Sequence, residues 1–177
     1  MKRYAPEFEF PPYSYVPGKY PHPESDPAGH SFGKELEPIS LSPNQKLAEH
    51  ATFLYAVDLF NFGYYWESHE QWEQLWHACG RKGPTADLLK GLIKLAAAGV
   101  KFKQEVPAGM QRHGNRAIEL FQSLDQNELM RIQFDGINME LLIEIAKQIC
   151  HTAETASVES SPADKLNLSV QIVIQNT

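Results

Sequence analysis

Apolar residues recur at helical spacing through most of the chain. Leu47, Ala51 and Leu54 fall at i, i+4 and i+7, and His50, Asp58 and Asn61 continue the same stripe. Ser42 as N-cap and Pro43 at the next position predict the start of this first helix, and Gly63 just past Phe62 predicts its end. A second helix is predicted from Tyr65 to Cys79, stopping at Gly80. A third runs from Pro84 or Thr85 to Gln104, with Leu88, Leu92, Leu95, Ala96 and Gly99 on its core face and Leu89, Ile93, Ala97 and Val100 widening it. Pro107 opens a fourth helix to about Leu124, whose core face holds Met110, Gly114, Ala117, Phe121 and Leu124, with His113 beside them. A short helix near Asn127 to Arg131, a turn at Asp135-Gly136 and a last helix capped by Asn138, with Leu141, Leu142, Ile145 and Ile149 inside, complete the series.

Two stretches depart from this period. Residues 1–43 carry nine of the twelve prolines, which disfavours helix and central strand alike. The segment also holds Tyr4, Phe8, Phe10, Tyr13, Tyr15, Tyr20 and Phe32, more rings than a disordered tail usually has, so it reads as an extended arm pinned by its aromatics. At the other end, Thr152 to Lys165 is polar and reads as a linker. Leu166, Leu168, Val170, Ile172 and Ile174 then alternate with other residues at period two, the pattern of a strand. A lone strand needs a partner, so pairing with the arm or with a second copy is expected, and the latter would make a homo-oligomer. The expected fold is therefore all-α: a compact bundle of five or six helices (44–152), an extended Pro-rich arm (1–43), and a linker with a short strand (153–177).

Composition narrows the function classes. The chain has 177 residues, a net charge of -6 and a pI near 5.6, with no basic stripe to collect phosphates, so nucleic-acid binding is not expected. Lys94 interrupts the longest apolar run, around Leu92 to Val100, which is also too short to cross a bilayer. No apolar region follows Lys2 and Arg3, and Cys79 and Cys150 lie far apart outside any CxxC pattern. A cytoplasmic protein with reduced thiols is the expectation.

Candidate chemistry concentrates in Phe60 to Trp76, FNFGYYWESHEQWEQLW, which contains all three tryptophans, three glutamates and one histidine. At 100° per residue His69, Trp72, Glu73 and Trp76 share one side of the helix, Glu70 and His77 flank Glu73, and Glu67 stands about 60° beyond Glu70. HEQWE differs from the zinc-protease HExxH in having Glu73 where the second histidine would be. His69 and Glu73 could still hold a divalent metal, with a further ligand from Asp58, Glu70, His77, His113, His22 or His30. In the arm, His22, Asp26 and His30 are spaced four apart, as a metal clamp or as turn chemistry. A di-iron bundle is not expected, because no second acid-rich helix is present. Neither a nucleophile elbow nor a Gly-rich phosphate loop occurs. The competing reading is structural: Glu67, Glu70 and Glu73 form a buried acidic-aromatic network that fixes helix packing, neutralised by Lys90, Lys101 or Arg116.

The same stretch resembles the signature of the DUF309 family of small helical proteins of unknown function. Phe60, Asn61, Gly63, Tyr65, Glu67, His69, Glu70, Glu73 and Trp76 match it, and LKGLIKLAAAG matches the family's second element at Gly91, Leu92, Ile93, Ala96 and Ala97. Lys90 and Lys94 stand where glutamines are frequent. Gly109, Gly114 and Ala117 fit a looser third element, and the arm resembles an N-terminal extension of longer bacterial members. The resemblance spans about residues 50 to 125 and implies a compact all-α bundle, with no established activity or cofactor. The candidate site comprises Asp58, Asn61, Glu67, His69, Glu70, Glu73, Trp76, Lys90 and His113. A non-catalytic binding or scaffold role is expected first, and a metal-binding, hydrolytic role at the His69/Glu70/Glu73 face second.

Overall fold

The computed structural model describes residues 2–35, 38–41, 45–125, 134, 136–158 and 171–174. Among them a 3-10 turn, Leu47–Glu49, precedes five α-helices: α1 Ala51–Asn61, α2 Tyr65–Ala78, α3 Pro84–Lys103, α4 Pro107–Asp125 and α5 Met139–Val158. Each helix packs on its neighbour in sequence, and α3 also touches α5. The fold is all-α. None of its described helices is long and apolar enough to cross a membrane.

The core follows from the apolar stripes. Leu88, Leu92, Leu95 and Ala96 of α3 are fully buried, as are Met110, Ala117 and Phe121 of α4 and Ala146 and Ile149 of α5. Small residues set how closely the helices approach. A Cβ on Gly91 would collide with the Phe121 ring from α4, and one on Gly99 would collide with the Tyr65 ring from α2. The glycine positions in α3 are therefore sockets for aromatic rings from both flanking helices. Gly63 has φ of +81°, and the N–H groups of Gly63 and Tyr64 return to the carbonyls of Phe60 and Leu59. That left-handed turn closes α1 and directs the chain straight into α2.

Three expectations are corrected. The first helix does not run unbroken from residue 43. His50 is extended, with φ of -81° and ψ of 122°, and separates the 3-10 turn from α1. Its ring is buried and lies 3.4 Å from the Ser40 carbonyl, so the helical stripe is interrupted to seat a polar side chain. The polar stretch from Thr152 is helical as far as Val158, because Ala153 continues the buried stripe of Ile149 and Cys150. The hydroxyls of Thr152 and Thr155 donate to the Gln148 and Thr152 carbonyls along that helix. Finally, the described residues contain no strand. Residues 171–174 make one antiparallel bridge, Ile174 to Ile137, with Ile172 and Ile174 buried and Gln171 and Val173 exposed. Within these four residues Ile172 is held by Asn61 of α1, and Ile174 bridges to Ile137 just before α5. Ser42, Pro43, the helix expected at 127–131, Asp135 and the remainder of the expected strand at 166–170 lie outside the described residues.

Candidate functional site

The polar residues of α1 and α2 divide into two groups. Asp58 is fully buried on α1. Its Oδ1 accepts the Tyr4 N–H at 2.8 Å, its Oδ2 accepts the Ala5 N–H at 2.9 Å, and Arg3 Nε stands 3.4 Å from Oδ2. The Arg3 guanidinium also covers the Phe10 ring, 4.1 Å from its centre. At the end of α1, the Asn61 side chain donates to the Ile172 carbonyl and accepts the Ile172 N–H, both at 2.8 Å. Tyr4 ties the two termini together: its hydroxyl accepts the Ile174 N–H at 3.0 Å.

Glu67, in the first turn of α2, is 5% exposed. Its Oε1 accepts the Tyr15 N–H at 2.7 Å and lies 3.3 Å from His30 Nε2. Burial pushes this carboxyl above its ordinary value, while the bonds from Tyr15 and His30 pull the other way. The second oxygen, Oε2, is buried with no hydrogen-bond partner. The neighbouring Ser68 hydroxyl donates to the Ala56 carbonyl at 2.9 Å, which locks α2 to α1 inside the core. Residues 2–35 contain neither helix nor strand, so their backbone groups need such partners.

The second group is half-buried, and among the described residues its ion pairs stay within α2. His69 Nδ1 lies 3.1 Å from Glu70 Oε1 and 3.8 Å from Glu73 Oε2. One donor atom from each of the three falls within 4.8 Å of the others, so this is the cluster among the described residues that could hold a metal ion. His113 on α4 is held neutral, its value lowered to about 4 by burial and then by the positive charges of Arg112, Lys94, Lys101 and His69. That environment keeps the His113 imidazole unprotonated, as a metal ligand must be, but does not place it in the cluster.

The other expectations fare differently. Among the described residues neither Lys90 nor Lys101 pairs with an acid of α2: Lys90 is half-buried without an ion pair, and Lys101 Nζ donates to Gln104. The same holds for Arg116, which pairs with Glu119 on its own helix. Trp76 packs against the core, with His77 on its edge and Arg81 over its ring. The His22, Asp26 and His30 clamp is not formed. His22 Nδ1 accepts the N–H groups of Glu24 and Ser25, Asp26 accepts that of Ala28, and His30 goes to Glu67, so these side chains close turns or hold α2. Sequence reasoning overlooked Arg3, Ser68 and the His30–Glu67 pair. The density of rings around His22 and His30 was the available signal, since Tyr13 packs on His30 and both Tyr15 and Trp66 pack on His22.

Residues 53–113 match a family model described as Domain of unknown function (DUF309). The chain carries a DUF309 domain. No curated protein and no solved structure matches it. The DUF309 span contains every candidate site residue from Asp58 to His113. It excludes both chain segments that Asp58, Asn61 and Glu67 hold.

Proposed function

We propose that this is a non-catalytic binding or scaffold protein whose DUF309 domain grips extended backbone. One observation carries the reading. Three polar side chains of α1 and α2 each end on main-chain groups of residues beyond the domain: Asp58 on Tyr4 and Ala5, Glu67 on Tyr15, and Asn61 on Ile172. Buried carboxylates that accept backbone N–H groups position a chain, whereas a general acid or base needs access to a substrate proton. The Pro-rich segment is then an arm of turns seated on the domain through its Tyr4, Ala5 and Tyr15 N–H groups. The acidic balance of the protein favours peptide or cationic partners over nucleic acid. Hydrogen–deuterium exchange tests this. In the wild type, the amides of Tyr4, Ala5 and Tyr15 should exchange at least about tenfold more slowly than an unfolded chain, and Glu67→Ala should release Tyr15 while α3 and α4 stay protected. Unprotected arm amides in the wild type would sink the reading.

A second reading is favoured by the His69, Glu70 and Glu73 donor set: a metal-binding, hydrolytic protein. Three donors from one helix fit a zinc ion that keeps its fourth position for water. Such an ion would lower the pKa of that water and supply the nucleophile. Elemental analysis of protein purified without chelator or metal-affinity tag decides it. Stoichiometric metal that disappears in His69→Ala supports this reading, and metal-free wild-type protein removes it.

A further inference from the structure

Tyr4 is held at both of its ends. Its N–H donates to Asp58 Oδ1 at 2.8 Å, and its hydroxyl accepts the Ile174 N–H at 3.0 Å. The ring between them packs against the hydrophobic core. The tail in turn is held by Asn61, which bonds both main-chain groups of Ile172, and by the bridge from Ile174 to Ile137. Asp58 and Asn61 are three residues apart in α1, neighbours on one side of the helix. The start of the arm and the tail are therefore seated within one turn of each other, and a single tyrosine touches both.

The arm itself divides at Pro11 and Pro12, which have no N–H to donate. Before them, Arg3 donates to the Ala5 and Phe8 carbonyls and faces Asp58. After them, the Tyr13 hydroxyl donates to the Pro21 carbonyl and accepts the His30 N–H, while Tyr15 and His30 end on Glu67. Among the described residues no hydrogen bond or ring contact joins residues 2–10 to residues 13–35, and the tail bonds to the first part alone. A seated tail fixes the Tyr4 hydroxyl, and a seated Tyr4 supplies the acceptor for the Ile174 N–H. Each segment thus finds part of its site already ordered when the other is in place, which is the condition for positive coupling. One shared hydrogen bond is a factor of about two to ten in an equilibrium, and that sets the size of the coupling.

We propose that the two chain ends form a latch joined at Tyr4. The seated tail holds the first part of the arm, residues 3–10, against Asp58. Displacing the tail loosens that part, while residues 13–31 stay on Glu67. The inference rests on the reading of the domain as a grip on backbone, and adds that two of its grips are coupled and the third is independent. Coupling of this kind is reciprocal, so loosening the start of the arm loosens the tail by the same factor. The state of one end of the chain is then read at the other.

The test is hydrogen–deuterium exchange of the full chain, resolved by NMR to single amides. Asn61→Ala removes the clasp on the tail and leaves the arm's own hydrogen bonds in place. It should reduce protection of the Ala5 amide about threefold or more, and leave that of Tyr15 within about twofold of the wild type. Tyr4→Phe removes only the hydroxyl. In that background Asn61→Ala should change Ala5 protection by less than about 1.5-fold, because the link is already cut. Unchanged Ala5 protection in Asn61→Ala, an equal loss with and without the Tyr4 hydroxyl, or a Tyr15 loss as large as that of Ala5 would each overturn the latch. Should Asn61→Ala unfold α1, Ile172→Ala, which alters only the tail, decides: faster Ala5 exchange supports the latch, and unchanged exchange overturns it. Failure here is separable from failure of the grip. Tyr4 and Ala5 amides that are protected but indifferent to the tail lose the latch and keep the grip; amides unprotected in the wild type remove the grip itself.

Discussion

Glu67 and Glu70 leave α2 about one turn apart and meet opposite surroundings. Glu67 is 5% exposed and its nearest donors belong to residues 15 and 30, far away in sequence. The Glu70 side chain is 27% exposed and its partner is the adjacent His69. Both residues match one signature, and both are the same amino acid. The difference lies in what remains available: Glu67 has committed one oxygen to the fold, while among the described residues the Glu70 group has ion pairs only within its own helix. Energetics separate them as well. Truncating a desolvated, bonded carboxylate leaves its partners unpaired, whereas exposed pairs contribute about 0–1 kcal/mol.

The largest expected effect lies on the anchored side. Asp58→Ala strands the Tyr4 and Ala5 N–H groups and leaves Arg3 without its counter-charge, so unfolding free energy in urea should fall by about 3 kcal/mol. A loss below about 1 kcal/mol would place Asp58 with the exposed group and break the contrast.

An intermediate effect comes from protons. His113 titrates near 4 in the folded protein and near 6.5 when unfolded, so the unfolded chain takes up the proton first as pH falls. Its contribution is full above 6.5 and is lost between 6.5 and 4. His113→Gln should flatten that part of the stability–pH curve by on the order of 1–2 kcal/mol, after allowance for solvent screening at a half-buried site. Glu67 acts with the opposite sign. Its folded value is raised, so its contribution is full below the unfolded value and declines as pH climbs through the folded one. Urea titrations at pH 7 and pH 4.5 on the wild type and His113→Gln isolate the histidine's share. An unchanged slope in the variant would show that His113 is not held neutral by its surroundings.

The smallest effect belongs to the exposed group. Glu73→Gln should change the stability of metal-free protein by less than about 0.5 kcal/mol, because its 3.8 Å pair with His69 is half-open to solvent. A cost of 2 kcal/mol or more in the same urea measurement would mean that the cluster is structural after all.

Most of the helical frame was legible from residue types. Gly63 and Gly80 mark helix ends by adopting positive φ, Pro84 and Pro107 open helices, and the Asn138 side chain caps α5 by accepting the Leu141 N–H. The misreadings have physical causes. His50 lies on the apolar stripe, and periodicity does not register a backbone break made to bury a polar ring. Thr152 to Ala156 looks like linker because its polar residues are exposed or half-buried and Ala153 is the buried one among them. For the candidate site, the residues were visible but their destinations were not. Asp58, Glu67 and Asn61 bind main-chain groups, and a backbone N–H is the same at every position, so no spacing in the sequence points to it.

The Asn61 amide offers one donor and one acceptor to Ile172, as a residue in a sheet edge would. The end of α1 is thus a one-residue imitation of a strand, and its grip is blind to the side chain it holds. What fixes the register is the burial of Ile172 and Ile174 on either side of exposed Val173. The tail can therefore be rewritten at Gln171 and Val173 without loosening its attachment. A one-residue insertion between Ile172 and Ile174 would keep the amide clasp and turn one of the two isoleucines out to water.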